Sequence, residues 1–352
     1  IMSAFFAVAI LFLFIPSEKK NFHSGYLSIR QTNVIKGFFL LLVFMSHFCQ
    51  YAPVNTKADY FYQLWRMHSG QLLVTLFLFY SGYGTFITVK SKGIAYIKKM
   101  PVHRILKTLV NFDAAVCVYL IMQFFRGNSY SVKKILFSLI GWESIGNSNW
   151  YIFVMLLLYI AAWLTFYVFD CEEVPSLIGI TIMTVIGMYF LSVFKEGYWY
   201  NTMMCFPLGM WFAYYKKKID QWMQSRKIYL YTFFICLLLF VVAYRTRGSL
   251  FMYVVWTLTF SVGIVLFTMK IEMKNRILEW TGQNLFPLYI MQRIPMILLQ
   301  HTRLADQYVY LYAFVCLIFM YVFGFIFGKI CTALDNVIFV RKCNQKEALN
   351  EK

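Results

Sequence analysis

Long apolar segments recur along almost the whole of this chain of 352 residues. A helix needs about 20 mainly apolar residues to cross the hydrocarbon core of a bilayer, within a usual range of 17 to 25. About eleven segments of the sequence reach or approach that length. They lie at about 1–16, 34–51, 71–89, 105–125, 150–168, 175–194, 199–215, 228–244, 250–269, 285–301 and 308–334.

The composition agrees with a lipid environment. Hydrophobic residues make up 61% of the chain and charged residues 14%, whereas soluble domains carry about 25% charged residues. So little charge excludes a soluble globule of this size, a disordered chain, a coiled coil and a secreted disulfide scaffold. We therefore expect an all-α, polytopic integral membrane protein with about 11 transmembrane helices, in which a leading helix precedes a core of about ten.

The basic residues set the expected orientation. The net charge is +18, but Lys and Arg occur in short runs between apolar segments rather than as one patch, which argues against nucleic acid and for membrane lipid as the partner. Most of them fall in alternate loops and in the tail. We expect a multi-pass protein of the plasma (cytoplasmic) membrane with its amino terminus outside and its carboxyl terminus cytoplasmic. The 8 cysteines include no CxxC pair, so neither a metal nor a disulfide framework is expected.

We expect one multi-pass domain over 1–352, with a core at about 30–334 and a cytoplasmic tail at 335–352. The segment at 1–16 is interpreted as a leading helix that a longer native segment could precede, because it begins at Ile1 rather than Met. It lacks the basic flank and the small-residue cleavage site of a signal peptide.

Few ionisable residues interrupt the apolar segments, and each costs about 2.5–3.5 kcal/mol at the centre of a bilayer. They are His47, Asp113 and Arg293, with Lys36 at the mouth of the second segment. Eleven helical steps bring His47 back to within about 20° of the direction of Lys36, and about 16 Å further along the helix. A cation at the mouth can hold phosphates, while an imidazole deeper in can accept a proton or act as a nucleophile. A snorkelling lysine beside an unrelated histidine remains the alternative.

The residues around this pair resemble those of the membrane acyltransferase 3 family. TNVIKGFFLLLVFMSHFCQY is similar to the family segment in which Arg or Lys precedes His with ten residues between them, and four later segments resemble family segments in the same order. The five segments are Thr32–Tyr51, FLFYSGYGTF at Phe77–Phe86, HRILK at His103–Lys107, SNWYIFVMLLLY at Ser148–Tyr159 and GQNLFPLYIMQR at Gly282–Arg293.

This resemblance implies an enzyme that takes an acyl group, commonly acetyl, from cytoplasmic acyl-CoA and transfers it to a hydroxyl of an acceptor outside, such as a cell-surface glycan. It places Lys36 at the cationic position of the family and His47 at its essential histidine. The sequence also departs from the family pattern. Asn33 stands where an Asp is usual, and Gln292 stands where a late His is common.

For the reaction we expect His47 to be either a general base or a transient acyl carrier. Asp113 would orient the imidazole as a carboxylate does in a triad, or it pairs with a cation of another helix. Lys36, Arg104 and Lys107 share the inner face, where CoA phosphates would arrive. Anchoring of the topology is the alternative for these cations.

Four further residues are candidates for substrate binding. Ser81 and Tyr83 carry hydroxyls beside Gly82, whose better interpretation is close helix packing. Asn149 and Trp150 open a span at the outer interface, where Trp is either an anchor or a platform for a sugar.

Two other functions remain as alternatives to the enzyme. A transporter or flippase for a glycan or lipid-linked precursor would use the polar residues as a pathway, although the absence of an internal repeat disfavours it. A signalling or scaffold protein would not need His47.

Overall fold

The computed structural model describes residues 22–52 and 56–340, and within those ranges the chain is helical without a strand. The all-α prediction is therefore confirmed for the described residues. In chain order the α-helices are α1 (Ile29–Phe48), α2 (Tyr60–Ser69), α3 (Leu72–Met100), α4 (Lys107–Phe125), α5 (Val132–Leu139), α6 (Trp150–Val168), α7 (Glu173–Phe194), α8 (Cys205–Gln224), α9 (Arg226–Arg245), α10 (Leu250–Thr268), α11 (Arg276–Gln283), α12 (Leu285–Met291), α13 (Arg293–Leu299), α14 (Arg303–Gln307) and α15 (Val309–Asp335).

Seven helical segments of the described chain are long and apolar enough to cross a membrane. The protein is accordingly a multi-pass membrane protein. The segments are Ile29–Phe48, Leu72–Phe125, Trp150–Val168, Glu173–Phe194, Arg226–Arg245, Leu250–Thr268 and Val309–Phe339.

The remaining predicted segments differ from this set for local reasons. The segments predicted at 71–89 and 105–125 lie in one helical run, Leu72–Phe125. Inside that run Gly93 has φ +56°, a left-handed conformation that only glycine adopts without strain, and the run bends there. The segment predicted at 199–215 overlaps α8, whose second half is too polar for that set. The segment predicted at 285–301 is broken into α12 and α13, and 1–16 lies outside the described residues.

The chain folds into two compact units. The first unit falls within Ile1–Ser46, Val54–Ile97 and Ala161–Gln283, and the second within His47–Pro53, Lys98–Ile160 and Asn284–Lys352. The prediction of one domain remains a prediction, because compactness alone does not define a domain boundary in a helical membrane protein.

Glycines bring helices of the first unit together. A Cβ on Gly82 of α3 would collide with the carbonyl oxygen of Phe206, and one on Gly209 of α8 with that of Phe79. Small residues of this kind let helix backbones approach closely in a bilayer, where packing rather than hydrophobicity drives association. The interpretation of Gly82 as a packing residue is therefore supported by the structure.

The loop between α6 and α7 carries acidic residues. There the carboxylate of Glu173, at the start of α7, pairs with Lys90 of α3 at 2.6 Å. Its negative charge is also favourable at the positive end of the α7 helix dipole.

The segment between α4 and α6 contains the short helix α5. The hydroxyl of Ser131 caps it by accepting a hydrogen bond from the N–H of Lys134 at 3.3 Å. Val132 and Leu136 expose 72% and 60% of their surface, as expected for a helix with one side against lipid.

Candidate active site

His47 lies in the last turn of α1, where the chain turns away from the helix axis. The N–H of Gln50 donates to the carbonyl of His47 at 2.9 Å, and the N–H of Tyr51 donates to that of Phe48 at 2.9 Å. The imidazole is partly exposed, yet its Nδ1 atom is buried and forms no hydrogen bond with the described residues. A buried ring nitrogen without a full hydrogen bond is unusual away from functional sites.

The break between α12 and α13 lies near His47 in the second unit. Pro295 has no N–H to donate to the carbonyl of Met291 and its ring crowds the preceding turn, so the helix is interrupted at Gln292. The hydroxyl of Tyr119 donates to the carbonyl of Ile290 at 2.7 Å, and thereby ties α4 to the same turn. The sequence thus presents Gln292 and Arg293 from an interrupted helix rather than from a regular span.

Three side chains of this turn surround the imidazole of His47. The ring of Tyr289 has its centroid 6.3 Å from that of His47. The Gln292 side chain and the Arg293 guanidinium are both near enough to interact with the imidazole, although Gln292 Oε1 and His47 Nδ1 form no hydrogen bond with the described residues. All of these residues belong to the second unit.

The guanidinium of Arg293 is held in place by two hydroxyls. Its Nε donates to Ser148 Oγ at 2.8 Å, and its Nη1 donates to the Tyr51 hydroxyl at 3.1 Å. Ser148 is 2% exposed, so the first of these hydrogen bonds is shielded from bulk water. These two bonds use two of the five N–H donors of the guanidinium. Arg293 is therefore a fixed positive charge beside His47.

Aromatic rings form the wall behind this polar group. The rings of Tyr151 and Tyr289 meet edge to face with centroids 5.6 Å apart, and those of Phe48 and Tyr312 lie 4.9 Å apart. The Tyr312 hydroxyl donates to the carbonyl of Met296 at 2.6 Å, which fixes α15 against α13. Such packing excludes water and strengthens electrostatic interactions near the imidazole.

The predicted partner Asp113 lies on α4 of the same unit. It is partly buried and its Oδ1 forms no hydrogen bond with the described residues. Within the described chain no hydrogen bond or ion pair joins it to His47. Its role as an orienting carboxylate therefore remains a proposal.

The two predicted basic residues near α4 differ in their surroundings. Lys107 pairs through Nζ with Asp335 Oδ2 of α15 at 2.8 Å, and Asn111 donates to the other oxygen of that carboxylate at 3.3 Å. Arg104 is exposed in the π-helical turn Pro101–Leu106 that precedes α4. Lys107 thus has a structural partner that sequence spacing did not reveal.

Asn149 and Trp150 have structural contacts at the start of α6. Asn149 is 6% exposed and donates through Nδ2 to the carbonyl of Gly141 at 2.7 Å, which braces the loop between α5 and α6. Trp150 is partly exposed and meets the ring of Tyr151 edge to face at 6.0 Å. These contacts leave their predicted roles in substrate binding untested.

The other predicted site residues lie in the first unit. Lys36 is partly buried on α1, and among the described residues it forms no ion pair or hydrogen bond through its amine. Ser81 is partly buried, and its carbonyl accepts a hydrogen bond from the Thr85 hydroxyl at 2.8 Å. Tyr83 interacts electrostatically with Asp220 of α8.

Asp220 is itself the centre of a polar network. The Tyr26 hydroxyl donates to Asp220 Oδ1 at 2.6 Å, and Lys216 pairs with Oδ2. Burial and this hydrogen bond to a carboxylate raise the pKa of Tyr26 well above its usual value. The network anchors the segment before α1 to α8.

Sequence reasoning assigned no function to Arg293 and missed its partners Ser148 and Tyr51. The signal for Arg293 was present, since it interrupts an apolar segment, but its two hydroxyl partners are 145 and 242 residues away in the chain. Gln292 was noted only as a departure from a histidine. Its proximity to His47 depends on the break at Pro295.

This arrangement suits acid–base and acyl-transfer chemistry. A neutral imidazole can accept the proton of a hydroxyl or carry an acyl group itself. A fixed guanidinium beside it can stabilise the negative oxygen of a tetrahedral intermediate. Among the described residues no group of three or more His, Cys, Asp or Glu has the arrangement of a metal site.

Comparison with known proteins assigns this arrangement to a family. An acyltransferase-domain family model matches residues 29–331, which cover both units and every predicted site residue. The chain belongs to the acyltransferase 3 family. The resemblance that the five sequence segments suggested is thereby confirmed. Neither curated proteins nor solved structures give a match.

Membership of the acyltransferase 3 family makes this protein an acyltransferase that uses an acyl donor. It also decides against the transporter and the scaffold as the primary function. The match extends through α1 and through α12 and α13, the elements that carry His47, Gln292 and Arg293.

Proposed function

We propose that this protein is a membrane O-acyltransferase that moves an acyl group, in the simplest case acetyl, from cytoplasmic acyl-CoA to a hydroxyl of an extracytoplasmic acceptor such as a cell-surface glycan. The observation that carries the proposal is the placement of His47 beside the fixed guanidinium of Arg293. A base and a cation at one point are what hydroxyl acylation by a thioester requires.

In the proposed reaction the acceptor hydroxyl loses its proton to the imidazole of His47 while its oxygen attacks the thioester carbonyl. The carbonyl oxygen becomes negative in the tetrahedral intermediate, where Arg293 stabilises it. The C–S bond then breaks, the CoA thiolate takes the proton from the imidazolium, and the ester is released. In the alternative route His47 first carries the acyl group, and the hydroxyl attacks the acyl-imidazole.

We propose eleven membrane crossings in the plasma membrane, with the amino terminus outside and the carboxyl terminus in the cytoplasm. The basic residues of alternate loops support this orientation. Lys36 then lies in the inner half of the continuous helix α1 and His47 in its last, outer turn, about 16 Å further along the axis. This separation fits a donor that reaches in from the cytoplasm.

Lys36 and Arg104 are the cations we propose for the phosphates of CoA. Arg104 is the stronger candidate of the two near α4, because it is exposed and its planar fork can donate two parallel hydrogen bonds to a phosphate. Lys107 already neutralises the carboxylate of Asp335. We therefore propose only a secondary contribution from Lys107.

We propose five further residues for the reaction and for the path of the acceptor. Asp113 would stabilise the positive charge that the imidazole of His47 gains during transfer and would help to orient the ring. Ser81, Tyr83, Asn149 and Trp150 would line the path of the substrates, with Trp150 as an aromatic surface for a sugar ring.

The test compares cells that produce the wild type with cells that produce His47→Ala at equal protein levels. Alkali-labile acyl esters on envelope glycans and lipids are released and quantified. The proposal predicts that one class of ester is present with the wild type and lost with His47→Ala. Equal esterification in both strains would refute it.

A further inference from the structure

Gln292 occupies a place next to His47 that its own hydrogen bonds define. Its side chain is fully buried, and its Nε2 donates to the carbonyl of Tyr289 at 2.8 Å. Because the amide nitrogen is committed to the backbone of α12, the direction of the amide oxygen is fixed as well. That carbonyl is three residues earlier in the chain, so the interaction closes a tight local loop.

The amide oxygen and the imidazole are complementary. Gln292 Oε1 and His47 Nδ1 are both buried, and neither has a hydrogen-bond partner among the described residues. The Gln292 side chain nevertheless interacts with the imidazole. Two buried polar atoms that lie in the same neighbourhood and lack partners gain most by pairing, since each would otherwise bear the full cost of desolvation.

The other groups around the ring do not compete with Gln292 for the proton on His47 Nδ1. Arg293 and Tyr289 are the charged and titratable groups that face the imidazole from the described parts of α13 and α12. The guanidinium can only donate hydrogen bonds. Its Nε and Nη1 are directed to Ser148 and Tyr51. Tyr289 presents its ring at 6.3 Å from the imidazole centroid.

We propose that Gln292 is a positioning residue for the transferase reaction: its amide oxygen accepts the N–H at Nδ1 of His47, which leaves Nε2 as the basic, nucleophilic nitrogen that faces the acceptor. Gln292 touches no substrate. It selects the tautomer and holds the ring, as the carboxylate of a catalytic triad does, but without a negative charge.

The inference rests on the proposed role of His47 and has a test of its own. The pH dependence of acyl-ester formation is measured with radiolabelled acetyl-CoA in membranes that contain equal amounts of each folded variant. In Gln292→Glu a carboxylate replaces the amide and stabilises the imidazolium. We expect the acidic limb of the profile to move to higher pH by about one to three units, the range for an opposite charge at contact distance.

A second variant removes the acceptor atom without adding charge. Gln292→Met keeps the side-chain length and is expected to lower the turnover number at least about tenfold, with the KM for acetyl-CoA changed by less than about threefold, since a mis-set tautomer affects catalysis rather than binding. Unchanged turnover in Gln292→Met would overturn the proposal. So would a Gln292→Glu profile that coincides with the wild type.

Gln123 provides a matched control. It is another buried amide of the second unit and bonds to the Ile145 carbonyl at 3.0 Å and to Asn128 at 2.8 Å. Gln123→Glu is expected to change stability but not the acidic limb of the profile. An equal displacement in this control would also overturn the proposal, because it would show a general effect of charge. His47→Ala separates a failure of this inference from a failure of the proposed function. If that variant keeps its activity, the proposed function itself fails.

Discussion

Replacement of Arg293 is expected to impair catalysis far more than folding. Its guanidinium donates to Ser148 at 2.8 Å and to Tyr51 at 3.1 Å while it faces His47. Arg293→Met removes both bonds and the charge. Loss of one donor to a developing oxyanion costs about 2.7–4 kcal/mol of transition-state stabilisation, or about a hundredfold to a thousandfold in turnover. We expect a loss in that range.

Arg293→Lys tests whether the charge alone suffices. One ammonium on a shorter side chain cannot reach both hydroxyls, so at least one charged hydrogen bond is lost. Such a bond contributes about 1.5–3 kcal/mol, which corresponds to about tenfold to a hundredfold in rate. The lysine variant should therefore be slower than the wild type and faster than Arg293→Met.

The assay measures label transferred from radiolabelled acetyl-CoA into alkali-labile esters, per folded protein, in membranes of producing cells. Arg247→Met is the matched control. Arg247 is likewise partly buried, stacks 3.9 Å from the centre of the Tyr244 ring, and has no proposed catalytic role. It should keep its turnover. An Arg293→Met enzyme with turnover within about threefold of the wild type would refute the assignment of an oxyanion partner.

Three other sets of variants have defined expected outcomes. Asp113→Asn should lower turnover at least about tenfold without a change in protein level if the carboxylate orients the imidazole, and unchanged kinetics would show that it does not. Arg104→Met should raise the KM for acetyl-CoA more than Lys107→Met does, because a guanidinium can donate two parallel hydrogen bonds to a phosphate. A titration of initial rates gives both values, and the reverse order would contradict the assignment. Gly82→Ala should destabilise the protein by about 1–3 kcal/mol, since its Cβ meets the backbone of α8, whereas Gly84→Ala on the same helix meets no atom within 4 Å and should not. Thermal unfolding in detergent compares the two glycine variants, and equal melting temperatures would contradict the packing argument.

The helices of this protein were largely predictable because a span is a local property of the sequence. The apolar run that contains Lys36 and His47 forms α1 with both residues in it. The bend at Gly93 and the break before Arg293 were less accessible. A single glycine or proline in an apolar run does not reveal whether neighbouring helices compensate for the lost backbone hydrogen bond.

The chemistry at the site was predictable only in part, because several of its contacts join residues that are distant in the sequence. The pair of Lys36 and His47 could be found from helical spacing and from the family pattern. The hydroxyls that hold Arg293, and the carboxylate that pairs with Lys107 from 228 positions away, become neighbours only after the helices pack. Gln292 is the clearest case. The sequence marks it only as a departure from the family pattern, whereas its proximity to His47 is evident only in the folded chain.

Sealed membrane vesicles of both orientations test the central claim most directly. Radiolabelled acetyl-CoA is added outside vesicles that contain the wild type or His47→Asn at equal levels, and alkali-labile ester inside the lumen is measured. We predict that inverted vesicles, which expose the cytoplasmic face, form luminal ester with the wild type and none with His47→Asn, while right-side-out vesicles form none. Luminal ester formation that continues without the imidazole, or that is equal from either face, would contradict acyl transfer across the membrane at His47.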